Sequence, residues 1–255
     1  MTASARFPAL FVLGVAHCGS TLLGRMLNSH PQMRCLGEVL RLGAAIEEGL
    51  PCSCGLPLGE CAEWQAARPH LAVEEGHATR AMTFDHFRRL AEARGVEIVV
   101  DLSKTLVWRH ARKWGKQGAG YILLLRDTRG VLAATQRAGV DARSRIARNA
   151  KWIQRQGRLV QKLGDKGLVV RYEDLCGETE AELRRICAFL GLEFDEAMLL
   201  PADQEHHFVH SSRSKYMKGS NSFRVDQRWK TELEPGLLRE IEDSMAKVPL
   251  LASYL

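Results

Sequence analysis

Gly14, four intervening residues, then Gly19, Ser20 and Thr21 make a spacing suited to gripping an anion. A turn of this kind between a strand and a helix aims several backbone N–H groups, and the positive end of the helix dipole, at one spot, so a phosphate or sulfate is expected there. Three further charged groups appear abruptly where apolar runs end: Glu38, Lys104 (with Asp101 and Ser103 just before it) and Arg126. A carboxylate beside a bound anion could take a proton, a lysine could meet the anion's charge, and an arginine offers a planar fork to a phosphate. The plainer alternatives stay open on spacing alone: Glu38 as a solvated or helix-starting carboxylate, Lys104 as an early helix residue with a solvated tip.

The glycine spacing is close to the Walker loop of nucleoside triphosphatases, but Ser20 stands where that loop carries its lysine. Without the lysine that holds terminal phosphates, ATP or GTP hydrolysis is disfavoured. A nucleotide whose 5′ end needs a cradle and no metal-clamped triphosphate fits better.

The apolar run Ala9–Val15 predicts a buried strand, and Leu22, Leu23, Met26 and Leu27 recur at helical spacing after the turn, with Ser20 or Thr21 able to cap that helix. Residues 30–39 predict a short second strand ending near Gly37 and Glu38, followed by a helix through Ile46. Residues 96–101, 121–125 and 167–175 predict three more strands, separated by helices that include a long one over 142–163 with seven basic and no acidic residues. Helices are also predicted over 71–94 and 179–191. Alternating strands and helices predict an α/β, P-loop-like three-layer fold with a central, mainly parallel sheet, whose ligand crevice lies outside the C-terminal ends of the strands. Every charged group named above falls at such an end.

The 255 residues and 45% hydrophobic content are enough for one domain over 1–255, with a helical and loop insertion at about 48–94. A net charge of +6 favours anionic ligands. No zinc-finger spacing, RNP-like aromatic motif or basic zipper points to nucleic acid, so the excess charge is better explained by a phosphate-rich cofactor and leaves room for an acidic acceptor. No apolar run reaches the length of a membrane span, and a secretory signal would have to be cut inside the glycine loop, so a cytoplasmic protein is expected. The seven cysteines do not form a secreted disulfide framework. Cys52, Cys54 and Cys61 share a loop rich in proline and glycine, and packed thiols, a local disulfide, or zinc with a fourth ligand such as His70 or His77 are all open there. Packed thiols are favoured and no metal is expected.

Several segments, in order, resemble the sulfotransferases that use 3′-phosphoadenosine-5′-phosphosulfate. Ala-His-Cys-Gly-Ser-Thr-Leu-Leu (residues 16–23) resembles their 5′-phosphosulfate loop, and Leu-Arg-Asp-Thr-Arg-Gly-Val-Leu-Ala (125–133) their 3′-phosphate segment. Val-Arg-Tyr-Glu-Asp-Leu (170–175) with the stretch 184–195 looks like the strand and helix that follow, and Asn-Ser-Phe-Arg with Val-Asp-Gln-Arg-Trp-Lys (221–230) resembles a C-terminal segment that closes over the nucleotide.

The resemblance implies a sulfuryl transfer from this cosubstrate to a hydroxyl of a sugar, phenol, lipid or natural product. It implies that His17, Cys18, Gly19, Ser20, Thr21 and Leu22 cradle the 5′ end, that Arg126 meets the 3′-phosphate, and that Arg224 helps close the site. Two positions depart from the family pattern: His17 stands where arginine or lysine is common, and Ala134 where a serine is usual, leaving the adjacent Thr135 as its substitute. The catalytic set is then Glu38 as the base, His17 at the leaving oxygen and Lys104 near the anion. His17 competes with Glu38 for the base's part. A P-loop nucleotide or small-molecule kinase and a non-catalytic nucleotide or anion binder are the alternatives.

Overall fold

The computed structural model describes residues 5–71, 82–209 and 221–255. Five strands, β1 (Ala9–Leu13), β2 (Met33–Cys35), β3 (Ile98–Asp101), β4 (Gly120–Leu125) and β5 (Gly167–Arg171), form one sheet in the order β2-β3-β1-β4-β5. All pairings are parallel, with Phe11 opposite Asp101 and Tyr121, Cys35 opposite Val100, and Leu125 opposite Arg171. The α/β class and the parallel sheet are as the sequence predicts. Because β1 lies in the middle and its neighbours β3 and β4 come later in the chain, the crossovers run to both sides, and a crevice opens beyond the C-terminal end of β1.

Apolar residues fill every position of β1, β3 and β4 except Asp101 and Gly120, as expected for strands covered on both faces. Helices α1 (Ser20–Asn28), α2 (Leu42–Glu47), α3 (Ala62–Ala67), α4 (Phe84–Arg94), α5 (Ala111–Lys116), α6 (Thr128–Arg137), α7 (Ile146–Leu163), α8 (Tyr172–Gly177) and α9 (Thr179–Leu190) follow in chain order. Phe84, Phe87 and Leu90 share the buried face of α4, and Phe87 meets Phe11 edge-on at 4.9 Å between ring centroids, with Trp114 of α5 against both rings. Each such ring contributes about 2–3 kcal/mol of apolar burial, which makes this cluster a main anchor of one helical layer on the sheet. On the same face of the sheet, beside α5, Ile153, Leu159 and Val160 of α7 are buried, and the basic residues of that helix take its outer side.

Boundaries differ from the sequence reading where a side chain or a glycine redirects the backbone. The second strand stops at Cys35 because Gly37 takes a left-handed conformation, φ 83°, and the helix expected next begins as a 3-10 turn over Val39–Arg41. The long helix starts at Ile146, not 142, because the Asp141 carboxylate accepts the Arg143 and Ser144 amides and holds a turn there. Of the helix predicted over 71–94, the described part is α4, opened by a Thr83–His86 capping box. Residues 72–81 lie outside the described part of the chain.

Candidate active site

Parallel pairing gathers the C-terminal ends of the strands on one edge, so Gly14, Glu38, Lys104, Arg126 and Tyr172 are delivered to the same side. After β1 the chain turns through His17, left-handed at φ 63°, and Gly19, left-handed at φ 97°. Such a conformation costs a non-glycine residue roughly 1–3 kcal/mol, so His17 is held there by its surroundings. A Cβ on Gly19 would stand 2.6 Å from the Tyr172 ring, so only glycine fits. Gly19 itself, and not Ser20 or Thr21 as expected, is the cap position of α1. The first intrahelical bond runs from the Leu23 N–H to the Gly19 carbonyl, so the amides of Ser20, Thr21 and Leu22 precede any intrahelical acceptor. The Cys18 side chain fills the interior of the loop: its thiol is buried, burial pushes its pKa up, and its N–H donates to the Val15 carbonyl.

Glu38 is fixed by backbone on both sides. Its N–H donates to the Val209 carbonyl at 3.1 Å, the Val39 N–H donates to Asp101 Oδ2 at 2.9 Å, and the Leu40 N–H donates to Ser103 Oγ at 3.1 Å. Ser103 donates both its N–H (2.9 Å) and its hydroxyl (2.8 Å) to the Asp101 carboxylate. Asp101 is fully buried, and burial pushes its pKa up to about 7, partly offset by those hydrogen bonds and reinforced by the Glu38 charge. The Glu38 carboxylate lies between two cations: Oε1 contacts Lys104 Nζ and Oε2 contacts Arg41 Nε at 2.9 Å. Lys104 also donates to the Leu102 carbonyl at 3.1 Å. Gly37 is required just before Glu38, since a Cβ there would come within 2.4 Å of the Val209 oxygen.

Arg126 leaves β4 and is buried, donating to the His17 carbonyl at 2.9 Å and to Asp226 Oδ2 at 3.1 Å, with its guanidinium 4.4 Å from the Tyr172 ring centroid. Arg137 and Arg228 converge on the same Asp226 carboxylate, at 3.0 and 2.7 Å. The Arg228 hydrogen bonds first, and then the charges of Arg126 and Arg228, hold Asp226 well below the usual carboxylate range. Around His17, burial first, and then the charges of Arg126, Lys104 and Arg137, lower the imidazole pKa and keep the ring neutral near pH 7. His17 therefore feels both the Lys104 and the Arg126 groups. Thr135 is placed differently: its hydroxyl is buried and donates to the Val131 carbonyl within its own helix. Arg224 reaches this region by its backbone, whose carbonyl accepts from the Tyr172 hydroxyl at 3.5 Å, while its side chain lies toward solvent.

A helix that starts directly from the loop, a left-handed turn that excludes a Cβ, and a buried arginine at the end of a neighbouring strand suit a bound anion. The sequence comparison agrees with that arrangement: a sulfotransferase family model matches residues 8–96 and 117–196, about two thirds of the chain. The chain belongs to the sulfotransferase family. A Caenorhabditis briggsae protein, named provisionally as a protein-tyrosine sulfotransferase, is 25% identical over 205 residues, 74% of this chain and 68% of that protein. The sulfotransferase domain of the Synechococcus PCC 7002 olefin synthase has the same fold, with a TM-score of 0.61 at 23% identity over 93% of this chain and 92% of that one. Mouse SULT7A1, solved in complex with PAP, superposes with a TM-score of 0.57 at 11% identity over 99% and 91% of the two chains.

In this sulfotransferase the matched stretches carry the glycine loop, Glu38 and Arg126, whereas Lys104 and Asp226 lie outside them. Sequence reading missed Arg41, Arg137, Tyr172 and Asp226. The signal for two of them was present: Tyr172 directly follows the charged end of β5, and Asp226 stands two residues before an arginine. Arg41 gave no signal, because its approach to Glu38 depends on the 3-10 turn.

Proposed function

We propose that this sulfotransferase carries a sulfuryl group from 3′-phosphoadenosine-5′-phosphosulfate to the hydroxyl of a small-molecule or glycan acceptor, with Glu38 as the base. The observation that carries this reading is the meeting of Lys104 Nζ with Glu38 Oε1 at the same edge where the Lys104 charge bears on His17. The fit of the cosubstrate rests on the left-handed glycine loop at the start of α1 for its 5′ end and on Arg126, joined by Arg137 and Arg228, for its 3′-phosphate. Asp226 is the internal anion these arginines hold, and the 3′-phosphate takes its place among them. The cosubstrate supplies an activated sulfuryl group on a phosphate leaving group.

Glu38 orients the acceptor hydroxyl and receives its proton on a lone pair not used by Lys104 or Arg41, since each carboxylate oxygen accepts more than one hydrogen bond. Protonation of Glu38 weakens its hold on Lys104, whose ammonium is then free to meet negative charge on the transferring group. His17, neutral and held in a left-handed turn beside the Arg126 and Lys104 charges, offers a ring N–H to the leaving oxygen. Arg224 closes the site from the C-terminal segment. Thr135 assists the 3′-phosphate by turning its hydroxyl from the Val131 carbonyl to donate to a phosphate oxygen.

Sugar, phenol, lipid and natural-product hydroxyls all fit this chemistry, and an acidic acceptor suits the basic outer side of α7. Seven unpaired cysteines support a reducing, cytoplasmic setting. The test is an acceptor screen with isotope-labelled donor, followed by mass analysis for one added sulfuryl group. Failure of every hydroxyl class, with PAP and AMP raising the melting temperature equally, would overturn the reading.

A further inference from the structure

The loop Pro51–Cys61 has no strand or helix, yet it holds together around three sulfurs and an imidazole. Cys61 Sγ lies 3.8 Å from Cys52 Sγ, 3.9 Å from Cys54 Sγ and 3.3 Å from His207 Nδ1, and Cys52 Sγ lies 3.8 Å from the same nitrogen. All four ligand atoms lie within 4.8 Å of one another. A tetrahedral zinc with Zn–S of about 2.3 Å and Zn–N of about 2.05 Å sets its sulfurs about 3.8 Å apart and sulfur from nitrogen about 3.5 Å apart. The four distances at Cys61 and Cys52 are close to the edges of such a tetrahedron, and the remaining pairs lie within 4.8 Å. A disulfide would need sulfurs at about 2.05 Å, and none of the three cysteines is paired.

We propose that Cys52, Cys54, Cys61 and His207 bind one structural zinc ion that clamps the loop 51–61 to the segment His206–Val209. Three thiolates and one imidazole complete four-coordination with no open position, the pattern of a structural site. Cys52 and Cys61 are buried, and the Cys54 amide points at the Cys52 sulfur, as backbone N–H groups do around bound thiolates. On the far side of the imidazole, Nε2 faces Glu205 Oε1 at 3.6 Å, a carboxylate placed to orient the ring. Binding releases the thiol protons to solvent and changes no oxidation state. The fourth ligand is neither of the histidines expected from the sequence: His70 ends a 3-10 turn outside the cluster, and His77 lies outside the described residues.

The ion would sit in a wall of the active site. Ser53 accepts the Phe208 N–H at 2.8 Å and gives its hydroxyl to the His206 carbonyl at 2.6 Å, and its own N–H bonds the Phe208 carbonyl at 3.0 Å. One residue further on, Val209 donates to the Leu36 carbonyl and accepts the Glu38 N–H. The clamp thus holds the backbone on which Glu38 hangs. The zinc proposal stands whether or not sulfuryl transfer is the reaction.

The test is metal analysis of the full chain grown with zinc in the medium. About one zinc per chain is expected, retained through dialysis against EDTA and released by a thiol-specific mercurial. Cys61→Ser and His207→Ala should each lower the zinc content by more than half, while Cys187→Ala, far from the cluster, should not. Replacing zinc with cobalt should give thiolate-to-cobalt charge-transfer absorption, a readout on the unmutated chain that survives any failure of the variants to fold. A chain that takes up neither zinc nor cobalt, one that keeps full zinc in both ligand variants, or peptide masses showing a disulfide among Cys52, Cys54 and Cys61 would each overturn the proposal.

Discussion

At the sheet's C-terminal edge each working group hangs from the end of a strand, whereas the cluster at Cys52, Cys54, Cys61 and His207 hangs from no strand or helix of its own. In the first region the scaffold exists before the chemistry: β1, β3 and β4 are buried along their whole length, and a side chain at their ends can change without cost to the core. In the second region the ligating side chains are themselves the scaffold. Substitutions at the edge should therefore appear first in rates and affinities, and substitutions in the cluster first in stability and metal content. Val209, bonded to Glu38 on one side and following the clamped segment on the other, is where the two regions meet.

The sharpest way to break this division is Glu38→Gln. The amide keeps the shape and loses the basic lone pair, so turnover should fall by roughly two to four orders of magnitude. Nucleotide affinity should change less than about twofold, and the melting temperature should stay close to that of the unaltered chain. A large drop in melting temperature would show that Glu38 serves the fold as much as the reaction, and the contrast between the regions would fail.

The two regions also differ in how plainly the sequence announces them. The glycine loop was legible because strand, turn and helix are contiguous, and because Glu38, Lys104 and Arg126 each interrupt an apolar run at the point where a strand ends. Parallel pairing then makes their assembly almost automatic. The capping of α1 was misread because Gly19 takes the cap itself, a matter of one backbone angle. The histidine of the cluster was not legible, because His207 is 146 residues away from Cys61 and is brought there by the Ser53–Phe208 bonds and the Gly37–Val209 contact. Asp226 illustrates a third case: its chain position carries a hint, but the convergence of three arginines on it is a tertiary fact.

Arg126→Ala comes next in expected size. It removes a buried charge that would meet the 3′-phosphate, and the affinity for PAP should fall about 10- to 100-fold, in line with the loss of a charge-assisted hydrogen-bonding partner. AMP, which lacks that phosphate, should lose much less. Calorimetric titration with both nucleotides measures the difference, and an equal loss for the two would remove Arg126 from the 3′-phosphate site.

His17 should show a smaller and mixed effect, on the order of tenfold in both nucleotide affinity and turnover for His17→Ala, because one neutral hydrogen-bond donor is removed. His17→Arg should restore part of both by returning a cation. If His17→Arg binds nucleotide normally but is inactive, while Glu38→Gln turns over as before, the histidine is the base and the parts assigned to the two residues must be exchanged.

The smallest expected effect concerns Asp101, which touches no ligand but ties down the backbone just after Glu38, directly through the Val39 N–H and through Ser103 to Leu40. Burial pushes its pKa up to about 7, against 3.8 for an unperturbed aspartate. Between those two values the folded chain keeps a proton that the unfolded chain gives up, so this group's contribution to stability is largest at low pH, falls as pH rises through the window, and is level above about pH 7. The slope is at most about 1.4 kcal/mol per pH unit, the free energy of one proton's difference. Urea midpoints from pH 5 to 8 should decline in the unaltered chain, and Asp101→Asn, which has no such proton to lose, should flatten that decline. Glu38→Gln should move the upper end of the window downward, because the Glu38 charge helps to raise Asp101. If the decline is the same in all three proteins, Asp101 does not hold the proton, and its buried carboxyl is not the source of the pH dependence.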